Sequence, residues 1–191
     1  MKFRSKLSKL SDEELMVVLA KKNDHEALTI LYERYAKRLL AYFIKMFKGD
    51  EQKGQDFLQD LFIKVLENSG KFDANKKFYT WVFTIASNMA KTSFREKPTI
   101  ELNTNLHGRS ADSRSLDQIS KGELRQEIFQ LEPKQRDVLL LRYNQGFTVD
   151  EIAGILEINP GTVKSRIFYA TKKLAEALKQ DDIYSKSKNY G

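Results

Sequence analysis

Apolar residues recur every three to four positions along most of the chain, the spacing that lays a stripe along one side of a helix. Ser11 followed by Glu14 has the form of a capping box and opens a helix through Leu19. After a break at Lys22 to Asp24, the positions Leu28, Leu31, Leu39, Phe43 and Phe47 predict a longer helix over residues 25–47. Gly49 to Gly54 is a polar interruption. Beyond it Phe57, Leu58, Leu61, Phe62, Val65 and Leu66 mark a third helix, which should stop near Ser69 and Gly70. A loop over Lys71 to Lys77 follows. Phe78, Trp81, Val82, Ile85, Ala86 and Met89 then define a fourth helix ending before Pro98.

The pattern lapses over residues 97–119. Leu102, Leu106 and Leu116 are too widely spaced to form a face among Pro98, Asn103, Asn105, Gly108 and Asp112, so the segment reads as a linker, with a small core piece as the alternative. Helical spacing resumes with Gly122 to Leu131, Pro133 to Tyr143, Thr148 to Leu156 and Pro160 to about Leu178, and the tail DDIYSKSKNYG reads as frayed. The expected fold is all-α, with two small helical domains at residues 10–96 and 120–180 joined by a flexible linker at 97–119.

Composition narrows the function. The 191 residues include no cysteine, which removes disulfides, zinc-thiolate sites and thiol nucleophiles. No apolar run is long enough to span a membrane, and the basic start MKFRSKLSKL lacks the apolar core of a secretion signal, so membrane insertion is not expected and a cytoplasmic location is. The net charge of +7 points to a polyanionic partner. Its distribution says more. Lys164, Arg166, Lys172, Lys173 and Lys179 crowd the last helix against Glu176 alone, whereas Asp50, Glu51, Asp56, Asp60 and Glu67 dominate the third helix over Lys53 and Lys64. An acidic helix has little use on DNA, so a second partner of opposite character is expected.

The segment TVDEIAGILEINPGTVKSRIFYATKKL carries the most information. Thr148 and Glu151 form a second capping box; Ile152 and Leu156 face inward, and Ala153 lets the next helix approach closely. Ile158 plugs the turn, and Asn159 with Pro160 is a strong helix start. Val163, Ile167, Ala170 and Leu174 make the inward stripe of the second helix. Thr162, Lys164, Ser165, Arg166 and Tyr169 are left outward, where they can meet base edges, while Lys172 and Lys173 suit phosphate. An ordinary helical hairpin with solvated basic residues is the alternative. Glu157 stands where many such turns carry glycine, so the turn need not have the commonest geometry there. Arg136 and Arg142 are read either as backbone braces on DNA or as ion-pair partners of Asp137 or Glu132.

In the N-terminal half, Phe78, Tyr79, Trp81 and Phe83 lie close to Lys76, Lys77, Lys91 and Arg95, a mixture able to stack unpaired bases and hold phosphates, although Trp81 also has the phase of a core residue. No glycine-rich phosphate loop, metal-ligand cluster or base–nucleophile pair stands out, so neither catalysis nor a cofactor is expected, and the isolated His25 and His107 receive no role.

DFLQDLFIKVLENSGKFDANKKFYTWVFTIASNMAKTSFR, followed a linker later by LEPKQRDVLLLRYNQGFTVDEIAGILEINPGTVKSRIFYATKKLAEAL, resembles the extracytoplasmic-function group of the sigma-70 family of bacterial RNA polymerase sigma factors. The resemblance implies a promoter-recognition subunit with core RNA polymerase and promoter DNA as partners and, in many relatives, an anti-sigma factor. Its first domain would bind the polymerase clamp through Asp56, Gln59 and Asp60. The same domain would open the −10 element with Asn75, Lys76 and Lys77 from the loop and Asn88, Lys91 and Arg95 from the helix after it. Its second domain would read the −35 element through Thr162, Lys164, Ser165, Arg166, Tyr169, Lys172 and Lys173. Gln55 and the KTSFR ending depart from the commoner family pattern, which leaves the preferred −10 sequence open. A free chain is expected to fold its acidic helix and linker over the basic surface. A helix-turn-helix regulator, an enzyme with an accessory DNA-binding domain and a structural adaptor are the competing readings.

Overall fold

The computed structural model describes residues 6–96 and 116–188, and the regular structure among them is helical. We label α1 Asp12–Lys22, α2 His25–Met46 and α3 Glu51–Glu67, followed by a 3-10 turn at Ser69–Lys71 and α4 Phe78–Glu96. The second half holds α5 Leu116–Gln130, α6 Pro133–Leu139 running into a π-helical turn at Leu140–Asn144, α7 Val149–Leu156 and α8 Pro160–Lys188. The all-α expectation is met. Two boundaries differ. The last residues of the expected linker, 116–119, belong to α5, and the rest of it lies outside the described residues. The tail read as frayed continues α8 to Lys188, in keeping with a sequence that has no proline or glycine from Thr162 to Tyr190.

Local capping sets the helix starts. Ser11 and Glu14 exchange both bonds of the capping box, at 2.7 and 3.1 Å. Asn23, left-handed at φ 50°, ends α1, and the adjacent Asp24 accepts from the backbone N–H groups of Glu26 and Ala27 to open α2. α2 and α3 cross closely at Gly54, where a Cβ would sit 2.8 Å from Ile44 Cγ1, so only glycine fits that crossing without a shift. Around it Leu31, Leu39, Phe43, Leu61, Val65, Val82 and Ala86 form a fully buried core.

This apolar cluster continues into the second half through Val138, Leu141, Phe147, Ile152 and Val163. The contacts between halves are carried mainly by α2 and α4, which receive α6, the π-turn and α7, rather than by the acidic α3. Tyr79 of α4 stacks on Phe147 at 4.6 Å, and its hydroxyl donates to the Gln145 carbonyl at 3.0 Å.

Among the described residues, the most buried charges lie at this junction. Arg136, expected on the DNA flank or in an ion pair, is 0% exposed. It donates to the carbonyls of Met46 at 2.5 Å, Phe129 and Leu131 at 2.7 Å and Ile128 at 3.1 Å. The guanidinium fork thus satisfies the orphan carbonyls at the ends of both α2 and α5. Burial lowers its pKa to about 10, which leaves it charged at neutral pH. Next to it, Asp137 accepts from Tyr42 Oη at 2.8 Å and Ser87 Oγ at 2.6 Å, bridging α6 to α2 and α4. Arg142 is exposed and donates to the Phe147 carbonyl at 2.9 Å, so it braces its own turn.

Candidate nucleic-acid and polymerase interfaces

The start of α8 is fixed as its sequence requires. Asn159 Oδ1 accepts from the Gly161 N–H at 2.7 Å, and Pro160 opens the helix. The preceding α7 begins on the Thr148–Glu151 capping box. The Glu151 carboxyl is held below its usual range by the Thr148 backbone N–H, and the Thr148 hydroxyl and the charge of Lys77 act in the same direction. Between the two helices Glu157 adopts φ 53° and ψ 46°. The turn therefore keeps the left-handed position that glycine commonly fills, which settles the geometry that the sequence left open, and a glutamate is forced to occupy it.

Val163 and Ala170 are fully buried, with Ile167 and Leu174 partly so, which turns the opposite side of α8 to solvent. Thr162, Lys164, Ser165, Tyr169, Lys172 and Lys173 are exposed, and Arg166 is half-buried. Ser165 Oγ donates to the Gly161 carbonyl at 2.9 Å, so its remaining capacity is to accept. Lys172 lies 3.9 Å from Glu176 in an exposed pair, too weak to withhold it from a phosphate. The face holds one more group that the sequence reading passed over. Phe168 is 61% exposed and packs edge-on against Tyr169, and its position four residues from both Lys164 and Lys172 was the available signal.

Asp56, Gln59 and Asp60 are exposed together on α3, where Gln52 Nε2 donates to Asp56 Oδ1 at 3.1 Å. Ile63, four residues after Gln59, is 54% exposed and gives this acidic face an apolar centre that was also overlooked. Its visible signal was an isoleucine out of phase with the inward positions Leu58, Leu61 and Val65. Phe57, one of the apolar positions that mark this helix in the sequence, is half-buried.

The loop candidates Asn75, Lys76 and Lys77 are exposed. Asp73 Oδ1 orders the loop by accepting from both the backbone N–H and the side-chain amide of Asn75 at 3.0 Å. Asn88, Lys91 and Arg95 are exposed on one stripe of α4. The two groups are separate, since the helical rise from Lys77 to Asn88 is roughly 16 Å.

Between α3 and α4 runs an open groove of about 750 Å³, with Phe57, Trp81, Ile85 and Met89 on its apolar surface and Lys53, Lys64 and Lys71 among its polar lining. Trp81 is half-buried rather than core and packs against Phe72 at 5.2 Å. Among the four aromatics read as possible base-stacking groups, Phe78 and Phe83 are fully buried and Tyr79 is engaged by Phe147; Trp81 is left at a groove.

Burial raises the Asp137 carboxyl above its ordinary pKa, opposed by its bonds from Ser87 and Tyr42 and by the charges of Arg166 and Lys91. One candidate from each DNA-facing set therefore lies within electrostatic reach of the same carboxylate. Among the described residues no acidic or histidine cluster is arranged to hold a metal ion, and no helix is long and apolar enough to cross a membrane.

The pattern described as Sigma-70 region 2 matches residues 31–98, and that of Sigma-70, region 4 matches residues 121–174. The chain belongs to the sigma-70 family, in its extracytoplasmic-function group. It is similar to the RNA polymerase sigma-H factor of Pseudomonas aeruginosa, with 29% identity over 90% of this chain and 96% of that protein. It is likewise 29% identical to the ECF RNA polymerase sigma factor SigW of Bacillus subtilis, over 83% of this chain and 92% of that protein. In fold it is similar to CnrH, solved in complex with the cytosolic domain of CnrY, with a TM-score of 0.68, 23% identity and coverage of 89% and 98% of the two chains. As a sigma factor the chain serves transcription initiation as a non-enzymatic subunit of RNA polymerase.

Proposed function

We propose that this sigma factor reads its promoter with the two faces described above. The observation that carries the assignment is the exposed basic and aromatic stripe of α8, held on a capped helix-turn-helix whose opposite side is buried. Its first turns, Thr162, Ser165, Arg166 and Tyr169, meet base edges of the −35 element in the major groove, with Lys164, Lys172 and Lys173 on flanking phosphates. Phe168 adds an apolar contact of the kind that suits a thymine methyl. Asn75, Lys76 and Lys77 receive the −10 bases as they leave the stack, and Asn88, Lys91 and Arg95 hold the adjoining backbone. The acidic face of α3, Asp56, Gln59 and Asp60 around Ile63, docks on core polymerase. Melting needs no ATP in this scheme, because each captured base offsets an unstacking cost of a few kcal/mol.

The two promoter elements are named for positions about 25 base pairs apart, roughly 85 Å of duplex at 3.4 Å per base pair. Arg166 and Lys91 both act electrostatically on Asp137 here, so using both elements together requires the halves to separate, with residues 97–115 as the tether. A cytoplasmic location and an anti-sigma partner belong to the same reading. The decisive experiment adds the protein to bacterial core polymerase lacking a sigma subunit and maps the transcript starts. Starts that share upstream elements at fixed spacing support the proposal, whereas DNA binding without transcription favours a conventional regulator.

A further inference from the structure

The −10 loop is strung between two anchors, and both rest on α1. Its near end, the 3-10 turn Ser69–Lys71, packs on α1, and its far end is the first residue of α4. Helix α4 lacks a chemically competent cap of its own, because the residue before Phe78 is Lys77, whose side chain has donors and no acceptor. The missing acceptor comes from a distant part of the chain. Glu13 Oε1 on α1 accepts from the Phe78 N–H at 3.0 Å, satisfying an orphan donor of the helix start with a negative charge at its positive end.

The surroundings hold this bond in place. Asp12, the neighbour of Glu13, is engaged by Arg34 and by the Tyr35 hydroxyl. The Tyr35 ring packs edge-on against Phe78 at 5.1 Å and stacks on Tyr79 at 5.8 Å. Phe78 is fully buried and in edge contact with Phe72 at the loop's other end. The carboxylate, the tyrosine and the phenylalanine thus fix the point from which Lys76 and Lys77 project. Residue 13 also lies before the segment 31–98 that matches the region 2 pattern.

We infer that Glu13 is a positioning residue for −10 recognition, acting in trans as the cap of α4 and setting where Asn75, Lys76 and Lys77 present themselves to the opened strand. The inference rests on the proposed role of that loop. Loss of a helix cap is worth about 1 kcal/mol, which corresponds to about a fivefold change in an equilibrium.

The test uses full-length protein assembled with core polymerase and the promoter found by transcript mapping, opened at its −10 element by mismatches. Binding is compared between the native −10 sequence and one with a substituted base. The Glu13→Ala holoenzyme should lose about fivefold of the wild-type discrimination, while affinity for core polymerase and for a −35 duplex stays within twofold. Glu13→Gln, which keeps the acceptor oxygen, should recover most of it; Glu13→Asp, which keeps the charge but is one methylene short, should not. If Glu13→Ala is poorly folded, the Asp and Gln pair decides by the same criterion. Unchanged discrimination, a parallel loss of core affinity, or a Gln variant as impaired as the Asp variant would overturn the inference. A wild-type holoenzyme with no −10 discrimination would instead sink the reading of the loop itself.

Discussion

Helices α3 and α6 both carry charged residues on amphipathic frames, and they use them in opposite ways. Asp56 and Asp60 of α3 are exposed, and Asp56 accepts from its neighbour Gln52. Arg136 and Asp137 of α6 are 0% and 7% exposed, and their side chains bond to backbone carbonyls and to hydroxyls rather than to an opposite charge. A charge kept in water is cheap to change and available to a partner. One taken out of water holds structure, and its removal strands several other groups.

Breaking the buried member should therefore give the largest effect. Arg136→Ala leaves the Met46, Phe129 and Leu131 carbonyls without their donor inside the junction, and a loss of about 3 kcal/mol or more is expected in chemical denaturation. A loss under about 0.5 kcal/mol, the scale of an ordinary surface change, would mean that those carbonyls find water and that the contrast with α3 is false.

Arg166 lies between the extremes: it is half-buried on the helix that carries the reading face, and its charge opposes the effect of burial on Asp137. Arg166→Ala should reduce preference at one −35 base by about 1–3 kcal/mol while binding to unrelated duplex weakens far less. A panel of altered −35 sites measures it, and equal weakening across the panel would reassign the residue to phosphate or to structure.

On the exposed side, Asp60→Lys should lower affinity for core polymerase about tenfold, equivalent to about 1.4 kcal/mol. The denaturation midpoint should stay in place, since the side chain supports nothing inside. A variant that binds polymerase normally would remove α3 from the interface, and one that melts early would place Asp60 in the fold.

The buried carboxyl also gives the junction a pH dependence of definite sign. The Asp137 pKa is raised by burial, so its contribution is fully present below the ordinary aspartate pKa and is lost as pH rises through the raised value. Stability of the closed arrangement, followed by fluorescence transfer between labels on the two halves, should fall as pH rises through that window. Asp137→Asn should flatten the slope. Tyr42 and Ser87 bond to the carboxyl and the charges of Lys91 and Arg166 act on it, and none of the other three titratable groups ordinarily titrates near an aspartate. A wild-type slope unchanged in the Asn variant would assign the effect elsewhere.

What the sequence disclosed follows the range of the interactions. The helix-turn-helix was legible because its capping box, N-cap, proline start and inward stripe all act within four residues, so the positions alone imply the contacts. The exposed face of α3 was legible for the same reason. Arg136 was misread because its partner Met46 lies 90 residues away, and an arginine on an amphipathic helix looks the same whether it meets phosphate or a helix end. The Tyr42–Asp137 and Glu13–Phe78 bonds, across 95 and 65 residues, had no local signature either. Trp81 fell between the alternatives, since its helical phase is inward but the surface it faces is a groove.

The smallest predicted effect concerns the one place where the helix-turn-helix departs from its usual composition. Glu157 sits in the left-handed region at the end of α7, where its Cβ is crowded and its charge faces the negative end of the helix. Glycine removes both penalties, at the expense of greater freedom in the unfolded chain. Glu157→Gly should therefore raise stability by up to about 1 kcal/mol without altering −35 preference, because the αL geometry that orients α8 is already present in the wild type. Measured together, denaturation and the −35 panel separate the possible outcomes. Higher stability with unchanged preference means that the turn is strained but correctly set. Changed preference would show that the glutamate itself, rather than the backbone it occupies, helps aim the recognition helix.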